Sequence, residues 1–315
     1  MRAHVRHILP LIAAILTFSA PAQSTLDSLL KVLPKQSGAE RVRTLGNVAW
    51  EVGMSDPDKA LVYGEEAMKL ASGLGDSAVI AQAANDAAIN EYRVGHLQRA
   101  VDLNLRALRI RESLKDSFGM AASHNKLAVA YTDMMKFGPA LEHNYAAAAY
   151  FDRAGDVPHL AQVRGNIGHL YQQMGDLDMA EKVLRETRTM LAGRDTGYAM
   201  ATVVGQLFQV LDERDDIDSA MALGNEALAR FSALDMMNEV ASVNNELGRL
   251  YRKRGKPEEG LRYYRRALEI ATESGDLTGQ ATYLMNVANV LSETGRPKEA
   301  LPLFEQSVRL CRKEG

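Results

Sequence analysis

The chain has 315 residues, 46% of them hydrophobic and 6% aromatic, with a formal net charge of −3 and a pI near 6.2. Such a balance can bury a sizeable core. It argues against nucleic acid as a partner on bulk charge, because phosphate backbones are held by an excess of Lys and Arg. The one cysteine, Cys311, allows no internal disulfide and is expected to be a small core residue.

The first 22 residues read as a secretory signal. Arg2 and Arg6 supply the positive start, Ile8 to Ala20 is a short apolar run, and Ala20-Pro21-Ala22 fits a small-x-small cleavage site. The run is too short to span a bilayer comfortably. The mature chain is therefore expected to be periplasmic or secreted, with no stable membrane span. Residues 23–37 follow as a predicted N-terminal helix, with Leu26, Leu29, Leu30, Val32 and Leu33 on it and Pro34 breaking it.

From residue 38 one pattern recurs every 40 residues, giving predicted helix pairs near 38–75, 76–115, 116–155, 156–195, 196–235, 236–275 and 276–315. The small residues Ala60, Ala100, Ala140, Ala180, Ala220, Gly260 and Ala300 mark the start of each second helix, and Ala67, Ala107, Ala147, Ala227 and Ala267 recur one face-turn later. Gly95, Gly175, Gly255 and Gly295 stand before the anchors, where a left-handed residue would end the first helix. Pro57, Pro257 and Pro297 fall at the first position of second helices, where a missing N–H costs nothing. Asp76, Asp116, Asp156 and Asp276 are placed to cap the next first helix. Large apolar residues at spacings of three and four, such as Leu247 and Tyr251, give each helix one apolar face. Repeats 1 and 5 are the weakest copies, and repeat 4 has Glu181, Thr187 and Arg188 where apolar residues are expected. The segment Gly193 to Gly197 is its loosest joint. With no Pro-rich or low-complexity interruption, the repeats are expected to form one domain.

These residues resemble the tetratricopeptide repeat family: Leu247-Gly248, Tyr251, Gly255, Gly260 and Ala267 stand at its consensus offsets. The likeness covers roughly residues 38 to 314. The period exceeds the usual ~34 residues, the first-helix Trp is absent, and Gly-Asp pairs replace the closing Pro. The long period is similar to that of kinesin light chains and of the exported halves of bacterial sensor proteins. HEAT repeats share the length but lack the Gly-to-Ala turn pattern. The resemblance implies an all-α fold, a right-handed α-solenoid of about seven stacked helix-turn-helix repeats.

No catalytic or nucleotide-binding motif is present, and the histidines are scattered in different registers, so no metal, cofactor or catalytic residue is expected. The family resemblance instead implies that first helices line a concave groove. Counting from residues 81, 121, 161, 201, 241 and 281, repeat positions 2, 5, 9 and 12 would face inward. They carry Gln82, Asn85 and Tyr92; Asn125 and Thr132; Gln162, His169 and Gln172; Gln209 and Asp212; Ser242, Asn245, Arg249 and Arg252; Asn289 and Ser292. Amides both donate and accept, which suits the backbone of an extended peptide, and Asn85, Asn125 and Asn245 would form a ladder. The competing expectation is that these amides bond neighbouring helices.

Repeat 6 carries Arg249, Arg252, Lys253, Arg254 and Lys256 where repeat 5 carries Asp212, Glu213, Asp215 and Asp216. In register, Asp212 would face Arg252 and Asp216 would face Lys256, as weak surface pairs, while Arg249 is left open to receive an acidic partner. The last helix keeps Leu301, Leu303, Phe304, Val308 and Cys311 apolar; some are expected to pack backward, and the rest offer a face for a second subunit. The expected function is a non-catalytic scaffold binding a protein or extended peptide, with the extracytoplasmic sensor module of a signalling protein as the alternative and an enzyme as a remote third.

Overall fold

The structure, a computed structural model, describes residues 19–194 and 196–314, with side chains at 25–194 and 196–312. Among these residues all regular structure is helical. Residues 1–18 of the expected signal lie outside them; its last residues belong to α1 (Ser19–Val32), and Pro34 sits in a short 3-10 turn, Leu33–Lys35. Seven helix pairs follow: α2 (Gly38–Val52) with α3 (Pro57–Leu74), α4 (Ser77–Arg93) with α5 (Leu97–Leu114), α6 (Ser117–Asp133) with α7 (Phe137–Ala154), α8 (Val157–Gln173) with α9 (Leu177–Leu191), α10 (Gly197–Glu213) with α11 (Ile217–Ala233), α12 (Met237–Lys253) with α13 (Pro257–Ser274), and α14 (Leu277–Glu293) with α15 (Pro297–Glu314).

The chain divides into two compact units, Met1–Ala130 and Tyr131–Gly315, the division falling inside α6. Each unit is a stack of hairpins. In the first, α2 packs on both α3 and α4, and α4 packs on α5. In the second, α8 packs on α7, α9 and α10, and the sequence continues α10 on α11, α12 on α13 and α14 on α15. A hairpin of two helices cannot bury its own apolar faces; the next hairpin completes the core. The second unit shows this in one continuous cluster, where Leu184, Leu207, Phe208, Phe231 and Leu247 from successive hairpins are buried together.

Local signals set the hairpins. Asp76, Asp116, Asp156 and Asp276 accept backbone N–H groups at the starts of first helices, for example Gly279 N at 2.9 Å. Asp56, Asp176 and Asp216 do the same for second helices. Each such cap contributes about 1 kcal/mol. Gly95, Gly175, Gly255 and Gly295 take left-handed φ, and in repeats 3 and 5 Met135 (φ 58°) and Asp215 (φ 64°) hold the same position.

Packing explains the small residues. The anchor alanines are buried, and a Cβ on Gly260 would stand 2.6 Å from the Gly248 carbonyl oxygen. The second small slot takes Thr187 in repeat 4 and Ser307 in repeat 7, both fully buried, with hydroxyls donating to Val183 O and Ala281 O at 2.7 Å. Repeat 4 therefore meets a requirement for small size, not for apolarity. Volume is traded across hairpins: Leu184 fills the hole above Gly168, Phe208 the hole above Gly224, and Tyr264 the hole above Gly248.

One expectation fails and another is met. Cys311 is exposed, because it lies on the outward stripe of α15 together with the exposed Leu301 and Val308. Leu303 and Phe304 of the same helix pack backward on the cluster around Leu261 and Val287.

Candidate binding face on the first helices

A helix packed on both sides shows solvent a stripe one residue wide per turn. On α8, α12 and α14 that stripe runs through repeat positions 2, 6, 9 and 13, whereas on α10 position 6, Gln206, is buried. On α8 it is Gln162, Asn166, His169 and Gln173; on α12, Ser242, Glu246, Arg249 and Lys253; on α14, Thr282, Asn286, Asn289 and Glu293. Spacings 3-4-3 and 4-3-4 both describe one face at 3.6 residues per turn. Packing of the neighbouring repeats selects the second on α8, while α14 exposes Met285 and Ser292 of the first as well.

Positions 5 and 12 accordingly lean toward adjacent helices in several repeats. Asn85 has no exposed surface: its amide N–H donates to Ser123 Oγ at 3.2 Å and its carbonyl accepts the hydroxyl at 3.3 Å. Gln172 is buried and donates to Glu213 Oε1 at 2.9 Å. Tyr92 on α4 and Asn125 on α6 are half-buried. Asn245 is half-buried, donating to Glu246 Oε1 at 3.1 Å and accepting from Asn286 at 2.7 Å. The spaced ladder of asparagines is thus two different inter-repeat links at Asn85 and Asn245. Gln162 is exposed, and Gln209 and Asn289 are half-buried; none of the three bonds another described residue.

The charge contrast resolves differently from the in-register expectation. Asp212 binds Arg249, not Arg252. Arg249 also donates from Nε to Glu246 at 2.9 Å. Burial works against its charge, but Asp212 and Glu246 outweigh burial and raise its pKa. Arg252 reaches onward to Glu293, Nε to Oε2 at 2.8 Å. Asp216 caps α11, and Lys256 lies 3.7 Å from Glu259. Lys253 pairs with Asp215 and Arg254 with Asp218. Long side chains choose partners by reach, so a 40-residue offset in sequence does not dictate the pair. The basic cluster is neutralised from within.

His169 meets Gln173 with Nε2 and the amide nitrogen 2.9 Å apart. Burial lowers its pKa, opposed by a Gln172 hydrogen bond and by Asp133. In the first unit, Gln82 donates to Asp86 Oδ1 at 2.8 Å and accepts from Arg111 Nη2 at 2.9 Å. Burial raises the Asp86 pKa against Lys126, Gln82 and Arg111. Burial also lowers that of Lys126, with Asp86 opposing. Sequence reasoning passed over this group, although Asp86 and Lys126 stand 40 apart with opposite charge at repeat position 6. Among the described residues no cluster of three or more His, Cys, Asp or Glu could hold a metal, and no helix is long and apolar enough to cross a membrane.

Models described as tetratricopeptide repeat match residues 239–313 and 161–186. A comparison with curated protein sequences gives no match. Solved structures with the same fold include the apo form of the quorum sensor NprR from B. thuringiensis, at 15% identity and TM-score 0.68, covering 92% of this chain and 81% of that one. Aspartyl phosphate phosphatase F from Bacillus subtilis aligns at 10% identity and TM-score 0.62, covering 95% and 96%. The Rap conjugation gene regulator of plasmid pLS20, solved with the Phr* peptide, aligns at 14% and 0.57, covering 93% and 95%. These likenesses show the stacked-hairpin solenoid fold.

Proposed function

We propose that the chain is a non-catalytic scaffold that binds an extended peptide or protein segment along the exposed stripe of its first helices. One observation carries this reading. The charged members of the stripe on α12 and α14 are ion-paired with neighbouring side chains, while Gln162, Gln209 and Asn289 remain uncommitted on α8, α10 and α14. Each presents a donor and an acceptor, the pair that an extended backbone needs. The regulator solved with the Phr* peptide supports a peptide as the occupant. Panning a displayed random-peptide library on the purified protein tests it. Enriched peptides should lose at least ~10-fold in affinity, about 1.4 kcal/mol, on the Q162A/Q209A/N289A variant with helical content unchanged. Equal affinity for the variant refutes the stripe. Phosphate release from an acyl phosphate by the purified protein would contradict the non-catalytic reading.

Residues 1–22 support export to the periplasm or medium, checked by whether their fusion carries a reporter enzyme out of the cytoplasm. A sensor role is the second reading, favoured by the likeness to a quorum sensor. The exposed Leu301 and Val308 of α15 offer a surface for a second copy, checked by sedimentation at two concentrations.

A further inference from the structure

In the first unit the arginine at the end of α4 is held in a way the others are not. The Arg93 guanidinium carbon lies 4.2 Å from the ring centre of Trp50, and Nη1 donates to the Trp50 carbonyl oxygen at 3.1 Å. Gly53 makes this possible: a Cβ there would stand 2.5 Å from Nη1. The guanidinium is thus fixed by an indole face, a backbone carbonyl and a glycine gap.

Arg41, Arg99, Arg188, Arg214, Arg249 and Arg252 all lie against carboxylates. Arg93 has no ion pair among the described residues, and burial alone lowers its pKa, with no acid opposing. A half-buried cation has given up part of its hydration without a counter-charge in return. Only one of its N–H groups is engaged, which leaves the planar fork that fits a carboxylate or phosphate. Beside it stands the exposed ring of Trp50 (47%), surface suited to an apolar or aromatic body.

We propose that Arg93 and Trp50 form a binding site for a carboxylate carried on an apolar or aromatic group. Arg93 is the last residue of α4, where the helix dipole disfavours negative charge, so a delocalised monoanion fits better than a dianionic phosphate. The site belongs to the first unit and does not depend on the peptide reading of the stripe.

Trp50 is the only tryptophan, so its fluorescence reports this site directly. The full chain would be titrated with phenylacetate, N-acetylphenylalanine, acetate and inorganic phosphate to ~20 mM, which saturates millimolar sites. A saturable change with phenylacetate is expected, with acetate and phosphate at least ~10-fold weaker. The response should vanish in Arg93→Gln and weaken in Arg93→Lys, both checked for native helical content. If Arg93→Gln misfolds, Gly53→Ala, which displaces Nη1, must weaken the response in its place. Stronger binding of N-acetylphenylalanine assigns the carboxylate to a peptide, and stronger binding of phenylacetate assigns it to a small acid. No saturable change with any probe, an undiminished response in Arg93→Gln, or tighter phosphate binding would overturn the site.

Discussion

Changing Gly260 to Ala separates packing from sequence pattern. Alanine occupies the same anchor in the other repeats, and it gains about 1 kcal/mol over Gly in a helix interior. A consensus argument therefore expects stabilisation. The structure expects the reverse. The new Cβ would stand 2.6 Å from the Gly248 carbonyl oxygen and 3.3 Å from the Arg252 nitrogen, both backbone atoms that cannot rotate away. The α12–α13 crossing would have to open, and Tyr264, which is 2% exposed and fills the hole above Gly248, would lose its fit. Overpacking of this kind costs roughly 1–3 kcal/mol, more where backbone must move. Because backbone must move here, the upper part of that range, about 2–3 kcal/mol, applies, and net destabilisation of about 1–2 kcal/mol is expected after the propensity gain. Gly73→Ala is the control: it lies in α3 with nothing within 4 Å of its Cβ position, and should stabilise by about 0.5–1 kcal/mol. Repeat arrays need not unfold in one step, so amide exchange in α12 and α13 is the assay, with urea midpoints beside it. Unchanged or increased protection in Gly260→Ala would refute the close crossing.

Met135→Gly should stabilise by about 1 kcal/mol in urea melts, because a non-glycine residue there bears the left-handed backbone at φ 58° while its side chain is exposed. Asp276→Ala should cost about 1 kcal/mol, with exchange rising first in the opening turn of α14, where Gly279 N loses its acceptor. Asp86 has its folded pKa raised by burial, so its carboxylate opposes folding above its unfolded pKa and ceases to do so as acid protonates both states. Asp86→Asn should therefore raise stability at pH 7, the gain shrinking as pH falls through the ordinary Asp range; a gain that grows in acid would contradict this.

The hairpins were legible because each boundary is written locally. A capping Asp, a Pro at a helix start and a Gly in the turn each fix one end of a helix, and the regular spacing of small residues reports contacts that recur in every hairpin. The exposed stripe of the first helices was legible only to within one residue. Asn85 and Asp86 fit an inward face equally well by spacing, and only the Ser123 hydroxyl shows which one is taken by the neighbour. The ion pairs were less legible still. Arg249 looked free because its counterpart 40 residues earlier is Gln209, yet its side chain reaches Asp212. The volume trades explain a further gap: Gly248 and Phe208 hold the same repeat position, and neither makes sense without Tyr264 and Gly224 across the hairpin. Trp50 and Arg93 escaped because nothing in their sequence spacing pairs a lone indole with a guanidinium in the next repeat.

A bound segment is expected to lie on the uncommitted amides of the first helices. A photo-crosslinking residue placed in turn at Gln209, at Asn289 and at the exposed Lys182 of α9 tests it directly, with a library-selected peptide as the probe. Crosslinks at the first two positions and none at Lys182 are expected. Capture at Lys182 with silence at Gln209 and Asn289 would place the segment on the second helices instead and rule out the amide stripe.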